Sequence, residues 1–127
     1  MPAEQAITTI RRGYDAFSRG DLDTLAQIIA ADAVWHVAGR NRLSGAKQGR
    51  EAIFAYFGAL GQAGYQVDLH DVLADEQHVV GLHTARGERE GQRLAAHTAV
   101  VFHMRDGMVQ EVWEQVDDTQ SLDEFFR

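Results

Sequence analysis

Residues 92–117 read QRLAAHTAVVFHMRDGMVQEVWEQVD, and their pattern of polar and apolar residues indicates the class of fold. Apolar and polar side chains alternate along it with the period of two that is typical of a β-strand. Asp106-Gly107 interrupts the alternation with a pair that favours a tight hairpin turn. The pattern extends back to Tyr65, with further turns at Asp75-Glu76 and Glu90-Gly91. We therefore predict an antiparallel meander of four strands, at about 65–74, 77–88, 92–105 and 108–117.

The region before residue 65 has a helical period instead. One apolar stripe of a first helix is formed by Ile7, Ile10, Tyr14 and Phe17, and Gly20 follows as a stop. Asp21 stands at the N-cap of a second helix, whose apolar residues are Leu22, Leu25, Ile28 and Ile29. A third helix is predicted over about 50–62. The front of the chain therefore contributes three helices.

Two shorter elements complete the prediction. Residues 33–37 form a short apolar run, which predicts a strand before a polar loop at 40–49. Ser121-Leu-Asp-Glu124 has the form of a capping box, which predicts a short final helix. Helices followed by a meander indicate an α+β fold, in which three N-terminal helices cover a curved antiparallel sheet. Such an arrangement leaves a cone-shaped pocket suited to a small ligand.

Composition limits the classes of function. The 127 residues suit one domain spanning 1–127. The net charge of −7 opposes binding to nucleic acid or to an anionic membrane. The chain has no cysteine, which excludes disulfides and thiolate metal sites. Without a basic leader followed by an apolar run, or an apolar stretch near 18 residues, we expect a soluble, cytoplasmic protein.

Several segments together resemble a known family. They are Tyr14–Asp21 (YDAFSRGD), Asp32–Gly39 (DAVWHVAG), Leu43–Gly45, Gly49–Glu51 and Asp106–Asp117. Their order and spacing resemble the SnoaL-like branch of the nuclear transport factor 2-like superfamily, which also contains ketosteroid isomerase, scytalone dehydratase and limonene epoxide hydrolase. The resemblance covers nearly the whole chain.

The resemblance implies a function as well as a fold. It implies cofactor-free acid–base chemistry on a small, hydrophobic, oxygenated molecule in the cone, of isomerase, polyketide cyclase or hydrolase type. It also implies a homodimer formed through the outer face of the sheet. The alternative from another class is a non-catalytic module of the same fold that binds a metabolite or mediates dimerisation. A nuclear transport or secretion adaptor is a third, less supported alternative.

His36 is the first candidate for a catalytic base. It lies three residues before Gly39, at the position that holds the carboxylate base in ketosteroid isomerase, and imidazole titrates near neutrality. The second carboxyl group of that isomerase corresponds to Val101, which cannot donate a proton, so steroid isomerisation by that mechanism is disfavoured. Asp117 or Glu111 is the expected partner carboxylate of His36.

The remaining site residues follow from the same placement. We expect the ligand to contact an aromatic and histidine set that comprises Tyr14, Phe17, Trp35, Phe54, Phe57, His97, Val101, His103 and Trp113. Tyr14 or His97 would donate to a developing oxyanion. The six histidines lack His-x-His and His-Glu-x-x-His spacing, so we expect no metal site.

Strand parity decides which of these residues share the pocket. Val109, Glu111, Trp113 and Asp117 fall on one face of the last strand if that strand is regular. His97, Val101 and His103 likewise share a face of the strand before it. If the parity is inverted, the pocket positions belong to Thr98, Phe102, Val112 and Glu114. An outward-pointing His36 would favour the non-catalytic alternative.

Overall fold

The computed structural model describes residues 2–127 and has the predicted α+β architecture. Four helices are α1 (Ala3–Arg19), α2 (Leu22–Ile28), α3 (Arg50–Gln62) and α4 (Thr119–Phe125). Six strands are β1 (Ile29–Val37), β2 (Gly45–Gln48), β3 (Gln66–Ala74), β4 (His78–Arg89), β5 (Gln92–Arg105) and β6 (Met108–Val116). The strands form one sheet in the order β2-β1-β6-β5-β4-β3. Its β3–β6 part is the predicted antiparallel meander.

Local chemistry explains the ends of the elements. Gly20 ends α1 in the left-handed conformation, with φ of 67°. The Asp21 side chain caps α2 by accepting from the backbone N–H of Thr24 at 3.1 Å. Glu90-Gly91 and Asp106-Gly107 have positive φ at both residues, as a two-residue type I′ hairpin requires. These signals were visible in the sequence.

The region around the first strand differs from the expectation in three ways. Ile29, expected in the second helix, is the first residue of β1, and this strand pairs parallel with β6 and not antiparallel. The segment 40–49, expected to be a loop, contains β2, which pairs with β1 from Val34↔Gln48 to Val37↔Gly45. The hydrophobic pattern does not indicate this edge strand, because three of its four residues are exposed and need not be apolar.

A β-bulge in β6 determines which side chains face the helices. Met104 pairs with Val109 but His103 pairs with Glu111, so Gln110 is an extra residue in the ladder. The alternation therefore slips by one position between Val109 and Glu111. Val109, Val112 and Glu114 face the cone, whereas Glu111 and Trp113 face outward. The parity predicted for the last strand is thus inverted after Val109.

The apolar core lies between the helices and the inner face of the sheet. Helix α1 packs on β3 and β4, α3 packs on β1 and β2, and α4 packs against β5. No helix within residues 2–127 combines the length and apolarity needed to cross a membrane. Phe125 in α4 is 2% exposed and closes one end of the core, where a Cβ atom added to Gly87 would come within 2.7 Å of its ring.

We predict that Phe125→Ala destabilises the protein by about 3–5 kcal/mol, because it removes a large buried ring and leaves a cavity. Urea unfolding followed by circular dichroism measures this change. Leu73→Ala is the matched control, since Leu73 is 54% exposed; its unfolding free energy should change by less than about 0.5 kcal/mol. Equal effects of the two substitutions would contradict the packing described for α4.

Candidate active site

The cone encloses a cavity between α1, α3 and the inner face of the sheet. The space inside the cavity that the centre of a water molecule can occupy is about 70 Å³, and the cavity opens to solvent at its mouth. Most of its lining is aliphatic or aromatic, and the polar side chains on it are Tyr14, Trp35, Tyr56, Tyr65, His83 and Glu114. An apolar cavity with a few convergent polar groups is the usual form of a small-molecule site.

Glu114 is the carboxylate of this cavity. Strand β6 directs it inward, and its Oε2 atom accepts from Trp35 Nε1 at 2.8 Å and from the Tyr56 hydroxyl at 2.9 Å. Burial raises the pKa of the Glu114 carboxyl above its usual value, and the hydrogen bonds from Trp35 and Tyr56 only partly oppose that effect. A carboxyl group with a raised pKa is a stronger base than an ordinary carboxylate, and it can both accept a proton and return it.

Tyr14 and His83 form a second polar pair in the cavity. The Tyr14 hydroxyl, from α1, lies 2.8 Å from His83 Nδ1, from β4. His83 is 6% exposed, and burial lowers the pKa of its imidazole to about 4, with a smaller contribution from His70. The ring is therefore neutral at pH 7. Burial, followed by the nearby Glu114 charge, raises the pKa of Tyr14, so its hydroxyl keeps its proton.

Gly81 makes the approach of Tyr14 to the sheet possible. A Cβ atom at this position would lie 2.7 Å from the Tyr14 hydroxyl oxygen and 3.0 Å from the nearest ring carbon. Both distances are too short for contact without movement. Helix α1 can therefore bring Tyr14 to His83 because β4 has no side chain at residue 81.

The residues that the sequence predicted to be catalytic lie outside the cavity. His36 Nε2 is 2.7 Å from Glu111 Oε2, but both side chains are 37% exposed and lie on the outer face of the sheet, where His36 stacks on Trp113. Asp117 is at the end of the same face and accepts from the backbone N–H of His97 at 3.0 Å. The expected placement of these three residues in the cone is wrong. The Gln110 bulge turns Glu111 and Asp117 to the outer face, and His36 follows the inward-facing Trp35 along β1, so its side chain is on the opposite face.

The expected ligand contacts divide between the two faces. Tyr14, Phe17, Trp35 and Phe57 line the cavity as expected, and Phe54 packs against Phe57 with ring centroids 6.3 Å apart. The other four expected contacts lie on the outer face and not in the cavity: His97, Val101, His103 and Trp113. These four residues are on the opposite face from the one expected, and the inner face instead carries the alternate positions Thr98, Phe102, Val112 and Glu114.

Sequence reasoning missed Tyr56, Tyr65 and His83 as cavity residues, and it named Glu114 only as part of the inverted alternative. The signal for His83 was present, because Val79, His83 and Ala85 alternate with more exposed residues along β4. Tyr56 gave no such signal, since α3 carries aromatic side chains around much of its circumference.

The fold and the cavity together define a class. A cone formed by a curved sheet and helices is the architecture of nuclear transport factor 2-like proteins. An NTF2-like protein from Burkholderia xenovorans LB400 superimposes with a TM-score of 0.87 at 19% identity, over 100% of this chain and 99% of that one. The family is shown by sequence: a SnoaL-like domain model matches residues 10–112, and the chain belongs to the SnoaL-like family. The predicted resemblance is confirmed.

More similar proteins match over their whole lengths. Bal32a, from a soil-derived mobile gene cassette, superimposes with a TM-score of 0.95 at 40% identity over 98% of each chain. Protein Rv0034 of Mycobacterium tuberculosis H37Rv is 28% identical over 130 residues, which is 99% of each chain. These similarities extend through both the helices and the sheet.

Two more distant structures with this fold are named as enzymes. One, named as a SnoaL-like polyketide cyclase from Jannaschia sp. CCS1, has a TM-score of 0.78 at 19% identity, over 91% of this chain and 87% of that one. The other is an LEH-like epoxide hydrolase from Mycobacterium tuberculosis, with a TM-score of 0.77 at 18% identity, over 98% and 90% of the two chains. At these identities the similarity establishes the shared fold.

We predict that Gly81→Ala disrupts the Tyr14–His83 hydrogen bond and lowers the free energy of unfolding by roughly 1–3 kcal/mol, the usual range for overpacking. Urea unfolding measures the loss. Gly58→Ala is the matched control, because Gly58 lies in α3 with open space around a new Cβ atom; it should be neutral or stabilising. A tolerated Gly81→Ala would contradict the close approach of α1 to β4.

The low pKa of His83 also predicts a pH effect on stability. Unfolded chains take up a proton on this histidine near pH 6.5, whereas the folded protein resists protonation down to a pKa of about 4. Unfolding therefore becomes more favourable as the pH falls through this window. Wild type should lose roughly 2–3 kcal/mol more than His83→Gln between pH 7 and pH 4.5.

Comparison of wild type with His83→Gln separates the contribution of His83 to the pH dependence of stability from that of Glu114. The raised pKa of Glu114 acts in the opposite direction, stabilising the folded state as the pH falls, and it is present in both proteins. Urea unfolding at the two pH values provides the four free energies required. Parallel pH dependence of wild type and His83→Gln would show that His83 titrates normally.

Proposed function

We propose that the protein is an enzyme that transfers protons on an uncharged, hydrophobic, oxygenated small molecule bound in the cone. Glu114 is the general base and acid of this proposal. The observation that carries it is the enclosed Glu114 carboxyl, which has a raised pKa and is held by the donors Trp35 and Tyr56. The two hydrogen bonds hold Oε2, so the carboxyl group keeps one orientation toward the cavity.

The elementary step is removal of a proton next to a carbonyl group. A Glu114 oxygen takes the proton from the α-carbon, and the electron pair of the broken C–H bond becomes part of an enolate. Return of the proton to the same or another carbon gives exchange, isomerisation or, after carbon–carbon bond formation, cyclisation. This chemistry requires no cofactor, and the enzyme names of the more distant neighbours are compatible with proton transfer in such a cone.

The outer His36–Glu111 pair supports catalysis less well. Each side chain is more than a third exposed, so water screens their charges and the pair has no enclosed space in which to hold a substrate. Among the residues that the structure describes, the cone contains one carboxylate, Glu114, and its histidine, His83, pairs with Tyr14 and not with that carboxylate. That observation favours the second candidate function, a binding module that holds a metabolite in the cone without converting it.

A carbon-acid exchange assay distinguishes the two functions without knowledge of the natural substrate. The probe is 2-tetralone, an uncharged bicyclic ketone with acidic α-protons. In D₂O, proton transfer by Glu114 replaces these protons with deuterium, and ¹H NMR follows the loss of their signal relative to protein-free buffer. Glu114→Gln should slow this exchange by about 100-fold or more.

Glu111→Gln is the matched control, because it makes the same substitution on the outer face of the same strand; it should keep the wild-type rate. The wild-type rate should rise with pH to a plateau as Glu114 loses its proton, and this dependence should be absent in Glu114→Gln. Loss of exchange in Glu111→Gln alone would move the chemistry to the outer face. Binding of 2-tetralone without exchange would establish the binding module instead.

The homodimer expected through the outer face of the sheet stays a prediction. Trp113 and Val101 are directly paired across β5 and β6 on that face, and they are the apolar side chains that a second copy would cover. The small hydrophobic ligand is likewise part of the proposal, and it is supported by the lining of the cavity.

A further inference from the structure

His83 has one ring nitrogen that the fold leaves without a partner. Its Nδ1 lies 2.8 Å from the Tyr14 hydroxyl, whereas Nε2 is buried and makes no hydrogen bond to any group within residues 2–127. A buried imidazole nitrogen without a partner carries a desolvation cost that a bound ligand can remove. His83 lines the cavity, so a ligand bound in the cavity would lie next to the imidazole ring.

The hydroxyl oxygen of Thr98, beside His83, is a second buried polar atom without a hydrogen-bond partner among the described residues. Thr98 is the cross-strand partner of His83 in the β4–β5 ladder, so both side chains are on the inner face. Thr98 does not line the cavity itself, but within residues 2–127 it adds a second polar group without a partner on the inner face of the sheet beside His83.

The direction of the hydrogen bond between Tyr14 and His83 Nδ1 determines whether Nε2 is a hydrogen-bond donor or an acceptor. When the Tyr14 hydroxyl donates to Nδ1, the neutral ring must carry its hydrogen on Nε2, which is then a hydrogen-bond donor without a partner in the described part of the chain. The reverse arrangement would direct the Tyr14 hydrogen elsewhere and leave Nε2 as an acceptor. The hydroxyl comes from α1 and the ring from β4, so helix packing holds the pair together.

The cavity lining also restricts the charge of the ligand. Of the described residues, those that line the cavity include neither lysine nor arginine, and Glu114 is the acidic one. A carboxylate or phosphate on the ligand would be desolvated without a compensating cation. A ketone oxygen has no such requirement, because one neutral N–H donor satisfies it.

We propose that His83 is the ligand-orienting residue of the cone and that its Nε2–H donates a hydrogen bond to the carbonyl oxygen of an uncharged ketone. This inference rests on the proposed function and names its substrate class. Tyr14 is the positioning residue, since its hydroxyl holds the imidazole in the Nε2–H tautomer. Gly81 belongs to the same arrangement, because it admits the Tyr14 ring to β4.

The test compares two ligands that differ only in the carbonyl group. 2-Tetralone contains it and tetralin lacks it, and dissociation constants for both are measured by ligand-observed NMR. The double variant Tyr14→Phe/His83→Phe keeps aromatic rings at both positions and removes their polar atoms. The preference for 2-tetralone over tetralin should fall about tenfold in this variant, as expected for one buried hydrogen bond.

His103→Phe is the matched control, because it makes the same histidine-to-phenylalanine substitution on the outer face of the sheet, away from the cavity; it should keep the wild-type preference. A direct readout comes from ¹⁵N-labelled histidine in the wild-type protein. The proton on His83 Nε2 should move downfield on addition of 2-tetralone and not on addition of tetralin. A residue with only a structural role would not give this ligand-specific signal.

The outcomes separate this inference from the proposed function. If both compounds bind and the double variant keeps the preference for the ketone, the His83 assignment is overturned and the cavity remains a ligand site. If the preference falls but the Nε2 proton does not respond, Tyr14 is the donor and His83 is not. If neither compound binds, both proposals fail.

Discussion

The structure depends on the Gln110 bulge in β6, because one extra residue determines which side chains enter the cone. On the N-terminal side of the bulge Val109 faces the helices, and on its C-terminal side Val112 and Glu114 do so. A regular strand with Val109 inward would instead turn Glu111 and Trp113 into the apolar interior. The bulge thus keeps Glu111 near water and encloses Glu114, which the polar groups of Trp35 and Tyr56 can satisfy.

The two glutamates of β6 show how environment separates residues of one type. Glu111 pairs with His36 at the surface, where solvent screens the charges. Glu114 is enclosed, and burial raises its pKa although three donors, including the backbone N–H of Ala38, favour its charged form. The enclosed carboxyl of Glu114 combines a raised pKa with a cavity beside it. Its position, and not its chemical type, makes it the candidate for proton transfer.

The cavity contains two polar centres supplied by different parts of the fold. The Glu114 centre unites β6, β1 and α3, while the Tyr14–His83 centre unites α1 and β4. Helices α1 and α3 therefore each contribute a tyrosine whose hydroxyl reaches a titratable side chain on the sheet. Close packing of the helices is a functional requirement as well as a source of stability, because a small displacement of α1 or α3 would break these hydrogen bonds.

The meander, the three N-terminal helices and their caps could be predicted, because alternation, apolar stripes and residues such as Asp21 and Gly107 act locally. The edge strand β2 could not, since its polar residues pair only when β1 is beside them. The candidate site was predictable in its aromatic wall, with Tyr14, Phe17, Trp35 and Phe57, but not in its polar centres. Glu111 was expected there because a regular two-residue alternation does not indicate a bulge, and His36 was expected there because it occupies the position of the carboxylate base in ketosteroid isomerase.

By itself, the sequence determined the type and order of most elements, since backbone geometry and burial pattern are properties of short segments. It also determined that a single α+β layer arrangement would enclose an apolar space. The tertiary structure alone decided which face of β6 borders that space, and so chose Glu114 over Glu111. It alone brought Tyr14 to His83, 69 positions apart in the chain. The physical reason is that register and inter-element distance arise from pairing and packing between distant segments, which no local pattern encodes.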